Sequence, residues 1–504
     1  MKLGTIGLYI LFFLLTATMV YAQEDTTQLK IAVLDTGVDE TLHSLNSMFI
    51  PGLNLVQPGN TPHDDHGHGT SVVGALVGAD QDKWKSQIKI MPIKVLDQDA
   101  YGDPQTVAEG IRLAVDKGAR ILVLSLADPI YSKELEEAVQ YAESKGSLVI
   151  AAAGNDGGDV AYPAAFPTVL SVGAVDHNQK LLSYSNKGPE LKVVSLGENI
   201  ETITRGGRAI QESGTSMAAP QVARVAAKVW IENPKLTPFQ VRHIIEATAD
   251  PLDKEGWNAQ TGFGLVNEIH AIQMAMNPPE TIFTQNHSFE QAATISTSSQ
   301  LQGMLTPDSP GDWYKIHILD DGIIHIYNSK PSHMVLYGQD KELVIENTGE
   351  IDSAVKKGVV YLYIATANRT REPYLLNTTF HIQPESISNN YREDSETKPA
   401  AEDLQIVGRF EVPNDEDWYR VSYPSAGRIQ VKVTTDTLRM DPVLTVETAN
   451  QKEVLDNSIV EEGKRMESME MPISAGEIFF HLQDYYHHAV NGKYQLSVHY
   501  TPDM

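Results

Sequence analysis

Three short stretches in the first half of this 504-residue chain carry the side chains of nucleophilic catalysis. Ile31-Ala32-Val33-Leu34-Asp35-Thr36-Gly37 is an apolar run that ends on a carboxylate and a glycine turn. His66-Gly67-His68-Gly69-Thr70 sets an imidazole between two glycines, which let backbone and substrate come close. Gly214-Thr215-Ser216-Met217-Ala218-Ala219-Pro220 puts a hydroxyl ahead of the apolar helical run Val222 to Ile231, where a helix dipole favours developing negative charge. A serine hydroxyl is a weak nucleophile until a neutral imidazole takes its proton, and a carboxylate can fix the tautomer of that imidazole. Asp35, His68 and Ser216 are the candidates for those roles.

Each stretch also has a plainer reading. A strand-ending Asp can simply cap a turn, and a Ser opening a helix can be its N-cap. Asp64, Asp65, His66 and His68 are crowded enough to suggest a metal site. A hydrolytic zinc site usually needs a further ligand from a distant strand, and no metal is assigned. The three stretches together are far more specific than any one.

The order Asp, His, Ser, with spacings of 33 and 148 residues, is that of subtilisin and differs from the chymotrypsin-like and α/β-hydrolase orders. Asp35-Thr36-Gly37, His68-Gly69-Thr70 and Gly214 to Pro220 resemble the signature motifs of the subtilisin-like serine proteases, over about residues 30–270. The resemblance implies a serine endopeptidase acting on protein or peptide substrates through an acyl-enzyme on Ser216. Its scope is either broad or dedicated to maturing one precursor. Ala151-Ala152-Ala153-Gly154-Asn155 looks like the family segment whose Asn binds the oxyanion, so Asn155 is the implied donor, joined by the Ser216 N–H. Ser125, Leu126 and Ala127 match the edge that pairs with substrate backbone, and Gly154 belongs to the same binding surface.

The resemblance has gaps. It implies no required cofactor. The family's tight calcium site takes a ligand nine residues after the catalytic Asp, which here is Ser44, and the loop near Ala79 to Gln87 lacks the Asn-containing ligand stretch. That site is expected to be absent, which leaves only weak calcium binding open. Gln221 and Arg224 stand where relatives commonly have His and Gly, and an Arg on a mostly buried helix needs a carboxylate or a route to solvent. This keeps an alternative: a catalytically impaired chain acting as a surface binding or adhesion module.

The elements that must position these residues are legible as an α/β pattern. Leu29 to Leu34, Ile88 to Val95, Ala119 to Leu126 and Leu148 to Ala153 read as buried strands. Between them, Asp103-Pro104 opens a helix with Val107, Ile111, Ala114 and Val115 as its apolar stripe, and Gly118 stops it. Ser132 opens a second helix, ended by Gly146, and Thr237-Pro238-Phe239-Gln240 is a capping box for a third. Alternating strands and helices predict a mostly parallel sheet with helices on both faces. In such sheets ligands gather at the carboxyl ends of strands, which is where Asp35 falls.

Composition fixes the setting. A net charge of −27 argues against nucleic acid or an anionic membrane as partner, and the absence of cysteine removes disulfides and thiol catalysis. Lys2, the apolar run Ile6 to Val20, and Val20-Tyr21-Ala22 read as a signal peptide over 1–22, so the mature chain is expected to be secreted, extracellular and without a membrane span. A short segment, 23–29, precedes a catalytic domain over 30–277. Only 8 residues separate the expected cleavage point from Lys30, too few for an inhibitory prodomain. Oligomeric state is left open.

Beyond Asn277-Pro278-Pro279 the pattern turns to short β runs, which predict two small all-β sandwiches over 280–384 and 388–503. Gly303 precedes Asp312-Trp313-Tyr314 by 9 residues and Gly408 precedes Asp417-Trp418-Tyr419 by 9, both offset by 105. Gly358 and Tyr374 align further on with Gly476 and Tyr494. The shared spacing implies duplication, and the motif resembles pre-peptidase C-terminal domains. Its Trp and Tyr read as core. Asn286, Asn368 and Asn377 begin Asn-x-Ser/Thr triplets, which matter only in a glycosylating host.

Overall fold

A parallel sheet of seven strands frames the first half of the chain. Its strands are β1 (Leu29–Asp35), β2 (Leu53–Asn54), β3 (Ile88–Lys94), β4 (Ile121–Leu124), β5 (Leu148–Ala152), β6 (Leu170–Val175) and β7 (Val193–Leu196), in the order β2-β3-β1-β4-β5-β6-β7. The computed structural model describes residues 28–503 except 44, 79–82, 254–255, 279–285, 306–310, 319–320, 331, 366–371, 383–388, 411–414, 457–458, 462–463 and 487–491. The expected signal peptide, Ser44, residues 79–82 of the 79–87 loop, and Asn368 thus lie outside the described residues.

Side-chain alternation along β1 shows why helices must cover both faces. Ile31 and Val33 point into one core with Val72, Val73 and Leu76 of α1 (His68–Val77). Ala32 and Leu34 point into the other, with Val107 and Ile111 of α2 (Pro104–Asp116) and Leu135 and Val139 of α3 (Lys133–Ser144). The first core also takes Val222, Ala226 and Val229 of α4 (Thr215–Glu232), then α5 (Pro238–Ala247) and α6 (Glu268–Met276). The helix starts follow the sequence: Asp103 accepts the Thr106 N–H, Ser132 that of Leu135, and Thr237 and Gln240 form the reciprocal capping box.

One strand is shorter than its apolar run suggests. The ladder of β4 stops at Leu124, and Ser125 to Ala127 leave the sheet. The cause is tertiary: Ser125 turns to bond the N-terminus of α4, as described below.

The second half builds two sandwiches. Over 293–382 a five-stranded and a four-stranded sheet enclose one core, and over 396–502 two five-stranded sheets enclose another. Each core holds the same buried knot. Tyr374 OH donates to Asp312 Oδ2 at 2.7 Å and meets Tyr314 OH at 2.5 Å. Tyr494 OH likewise bonds Asp417 and meets Tyr419 OH at 2.8 Å. Gly303 and Gly408 are where those rings lie down: an added Cβ would sit 2.1 Å from Tyr374 Cζ and 2.2 Å from Tyr494 OH. The tyrosines are core, whereas both tryptophans are half-exposed on outer faces, Trp418 stacked 4.0 Å from the His481 ring and Trp313 5.4 Å from Tyr337. Asn286 is buried against Trp313, so its triplet is structural, and Asn389 receives the Trp418 N–H as Asn286 receives that of Trp313.

Buried charges fasten the first sandwich to the parallel-sheet half. Arg242 of α5 donates to Thr168 O, Glu143 and Gln300, and Lys192 reaches Ser298 O. Burial, foremost, lowers the Lys192 ammonium to about 8, against the pull of Glu246. No helix among the described residues is long and apolar enough to cross a membrane.

Candidate active site

The end of β1 and the start of α1 meet backbone to backbone. A Cβ on Gly69 would lie 2.1 Å from Gly37 O and 3.1 Å from Asp35 Cβ, so only glycine lets the helix start this close to the strand end. That approach places His68, the first residue of α1, beside Asp35, the last of β1. His68 Nδ1–H donates to Asp35 Oδ1 at 2.8 Å; the carboxylate side chain is 1% exposed and the imidazole 24%. Thr36 N–H also donates to Oδ1, at 2.7 Å. Among the described residues His68 Nε2 has no hydrogen-bond partner. The Asp35 charge, foremost, raises the imidazole from 6.5 to about 9, opposed by burial and helped by Glu212 and Asp64.

Asp64 is the fastener of this corner. It accepts from Thr36 Oγ1, the N–H groups of His66, Gly67 and Thr70, and the Thr70 hydroxyl. Burial works to raise its carboxyl, but these bonds outweigh it and hold the group below the ordinary carboxylate range. Asp65 is paired with buried Lys94 at 2.6 Å. Both carboxylates of the competing metal reading are therefore engaged elsewhere, and among the described residues no three metal-ligating side chains converge.

Ser216 is the second residue of α4, after Gly214 at φ +146°. Its main-chain N–H has no partner among the described residues, as a helix start leaves it. Pro220, four residues on, has no N–H for the Ser216 carbonyl. Ser125 Oγ–H takes that place, donating to Ser216 O at 2.9 Å, and Ser216 Oγ–H donates back to Ser125 O at 3.3 Å. Ser216 is thus bonded to Ser125, and among the described residues no hydrogen bond joins it to His68. Ser125 and His68 line the same cavity, of about 280 Å³, with Leu126, Ala127 and Tyr162. The N–H groups of Ser125, Leu126 and Ala127 have no partner among the described residues, which leaves an open edge.

Asn155 stands exposed across the α4 start. Its Oδ1 accepts Thr215 N–H at 2.9 Å and the Thr215 hydroxyl at 3.0 Å. A backbone N–H can only donate, so the oxygen is fixed there and Nδ2 is the end left over. Gly154 donates to Thr215 Oγ1 at 3.3 Å, and buried Asn186 holds the following turn through Asp156 and Gly158 N–H. The two doubtful positions lie apart: Gln221 bonds Leu196 O and Met217 O, and half-buried Arg224 opens onto a separate cavity with Glu201 and His177.

Residues 26–264 match the family model described as Subtilase family. Subtilisin Savinase of Lederbergia lenta is 36% identical over 247 residues, which are 47% of this chain and 88% of that protein. The chain belongs to the subtilase family. Its peptidase domain is also 36% identical to the thermophilic serine proteinase of Bacillus sp. (strain AK1), over 48% of this subtilase and 61% of that protein. It is 40% identical to the cell wall-associated protease of Bacillus subtilis (strain 168), over 45% of this chain and 26% of the relative. The subtilase therefore spans less than two thirds of some curated relatives and most of others.

Thr36, Thr70, Thr215 and Asn186 position the site without standing out by residue type, and Asp64 reads by type as a metal ligand rather than as a fastener. Three of them stand in the motifs already read, each one or two residues from Asp35, His68 or Ser216.

Proposed function

We propose that this subtilase is a secreted serine endopeptidase in which Ser216 attacks the scissile carbonyl, His68 takes its proton and Asp35 holds the imidazole. The observation that carries this reading is the 2.8 Å bond between His68 Nδ1 and Asp35, with Nε2 left without a hydrogen-bond partner among the described residues. Rotation about the Ser216 side chain would exchange the Ser125 carbonyl for Nε2 as acceptor. The carbonyl oxygen of the tetrahedral intermediate then lies between Asn155 Nδ2 and the Ser216 N–H, as the free end of Asn155 supports. His68 returns the proton to the leaving amine, and a water repeats the sequence to free the acid. Ser125 to Ala127 would pair with the peptide backbone.

The two sandwiches are read as copies of one module resembling pre-peptidase C-terminal domains, supported by the matching Gly, Asp, Tyr, Tyr knots. A second reading, an impaired chain serving as a surface binding module, draws support from the Ser216 hydroxyl bonding Ser125 instead of His68. A phosphonylating reagent separates the two. Labelling of wild type at Ser216, lost together with peptide hydrolysis in Ser216→Ala, supports the protease; absence of labelling and hydrolysis in the folded chain favours the module. Casein cleavage distinguishes broad from dedicated action.

A further inference from the structure

The second sandwich sends one arginine into the parallel-sheet half. Arg439 Nη1 pairs with Glu190 at 3.0 Å, both side chains only 12% exposed. Its Nη2 donates to Val160 O at 2.6 Å, and its guanidinium carbon lies 5.5 Å from the Tyr162 ring centre. The loop that carries it is itself braced: Thr437 Oγ1 accepts the Arg439 N–H, and Asp484 accepts that of Asp441.

What Arg439 holds is the rim of the candidate cleft. Ala161 N–H donates to Ala153 O at 2.9 Å, just ahead of Gly154 and Asn155. Tyr162 and Asp128 exchange both main-chain bonds, at 2.8 and 2.9 Å, directly after the open edge of Ser125 to Ala127. Tyr162 and Asp128 line the cavity shared with His68. Segment 160–162 is therefore the strut between the open edge and the Asn155 turn, and a charged, largely buried side chain from another domain grips it. A surface ion pair would contribute little; one largely shielded on both sides, with a carbonyl and a ring as further partners, fixes geometry.

We propose that Arg439 is a positioning residue, through which the second sandwich sets the shape of the cleft for an extended peptide. This rests on reading that cleft as the peptide site. The test uses the full chain in two forms. In Ser216→Ala, titration with an extended peptide substrate measures affinity without cleavage; Arg439→Ala is expected to weaken it about tenfold and Arg439→Lys to restore part of the loss. In the active chain the same change is expected as a raised KM with kcat kept. Glu190→Gln, which removes the charge and keeps the volume, serves if Arg439→Ala does not fold, and should weaken binding in the same direction. Unchanged affinity in folded Arg439→Ala or Glu190→Gln overturns the proposal. Phosphonylation of Ser216 in wild type reports separately on the protease reading, so failure of one does not mimic failure of the other.

Discussion

Thr215 hands both of its donors, the main-chain N–H at 2.9 Å and the hydroxyl at 3.0 Å, to a single oxygen, Oδ1 of Asn155. The residue next to Ser216 thereby fixes which end of the Asn155 amide faces outward. Pre-set donors act where charge develops, so their loss should appear in turnover more than in binding. Asn155→Leu is expected to lower kcat about 10²–10³-fold with KM little changed, measured by steady-state hydrolysis of a peptide. A loss confined to KM would remove Asn155 from the oxyanion role.

The His68–Asp35 pair links activity and stability with opposite signs. The imidazole, raised to about 9 mainly by Asp35, must be neutral to accept the Ser216 proton, so kcat/KM should climb with pH through about 9. The folded chain then holds a proton that the unfolded chain, near 6.5, has lost. That contribution to stability is complete below the unfolded value and disappears as pH rises through about 9; at most it amounts to about 3 kcal/mol. Urea titrations of Ser216→Ala, which cannot digest itself, should show midpoints falling across this window. In Ser216→Ala/His68→Gln the fall should flatten.

Gly303 and Gly408 test the two aromatic knots. Each lies under a buried tyrosine ring with no room for a methyl group, and neither contact is with a mobile side-chain end, since the ring is hydrogen-bonded to a buried Asp. Gly303→Ala and Gly408→Ala are each expected to destabilise the chain by ~3 kcal/mol or more, read from thermal unfolding. The same substitution at Gly349, where a Cβ meets nothing within 4 Å, bears the backbone cost alone and should cost less.

Much of this is legible in the sequence because the signals are local. Apolar runs gave the buried strands, and Asp103, Ser132 and Thr237 marked helix starts that need only neighbours three residues away. The early end of β4 was not legible, since Leu126 looks like one more strand residue until Ser125 is seen bonded to Ser216, 91 positions away. Asp64 was hidden differently. By residue type it reads as a metal ligand, whereas its work is to collect donors from Thr36, Gly67 and Thr70. The three motif threonines carry no distinct signal in the sequence, because a hydroxyl beside an Asp, His or Ser of the motif fits many local roles. Yet Thr36 holds the Gly69 N–H, Thr70 donates to Asp64 and Thr215 donates to Asn155.

Asp64 supplies the last test. An Asn in its place keeps one oxygen but, with that oxygen on the three donors of Oδ1, turns an NH₂ toward Thr70; the Thr70 hydroxyl can rotate to accept from it, but the Thr70 main-chain N–H cannot and is left unsatisfied in a buried corner. Asp64→Asn should destabilise the chain by roughly 2–4 kcal/mol at neutral pH. It should also lower kcat, because the same bonds tie the start of α1, and with it His68, to the strand end. The Asp64 carboxyl is held below its ordinary value, so its contribution is present above about 4 and is lost as pH falls through the lower folded value. The stability gap between wild type and Asp64→Asn should therefore narrow on acidification, measured by urea unfolding of the Ser216→Ala forms; a gap that stays constant to strongly acid pH would mean that Asp64 acts by shape rather than by charge.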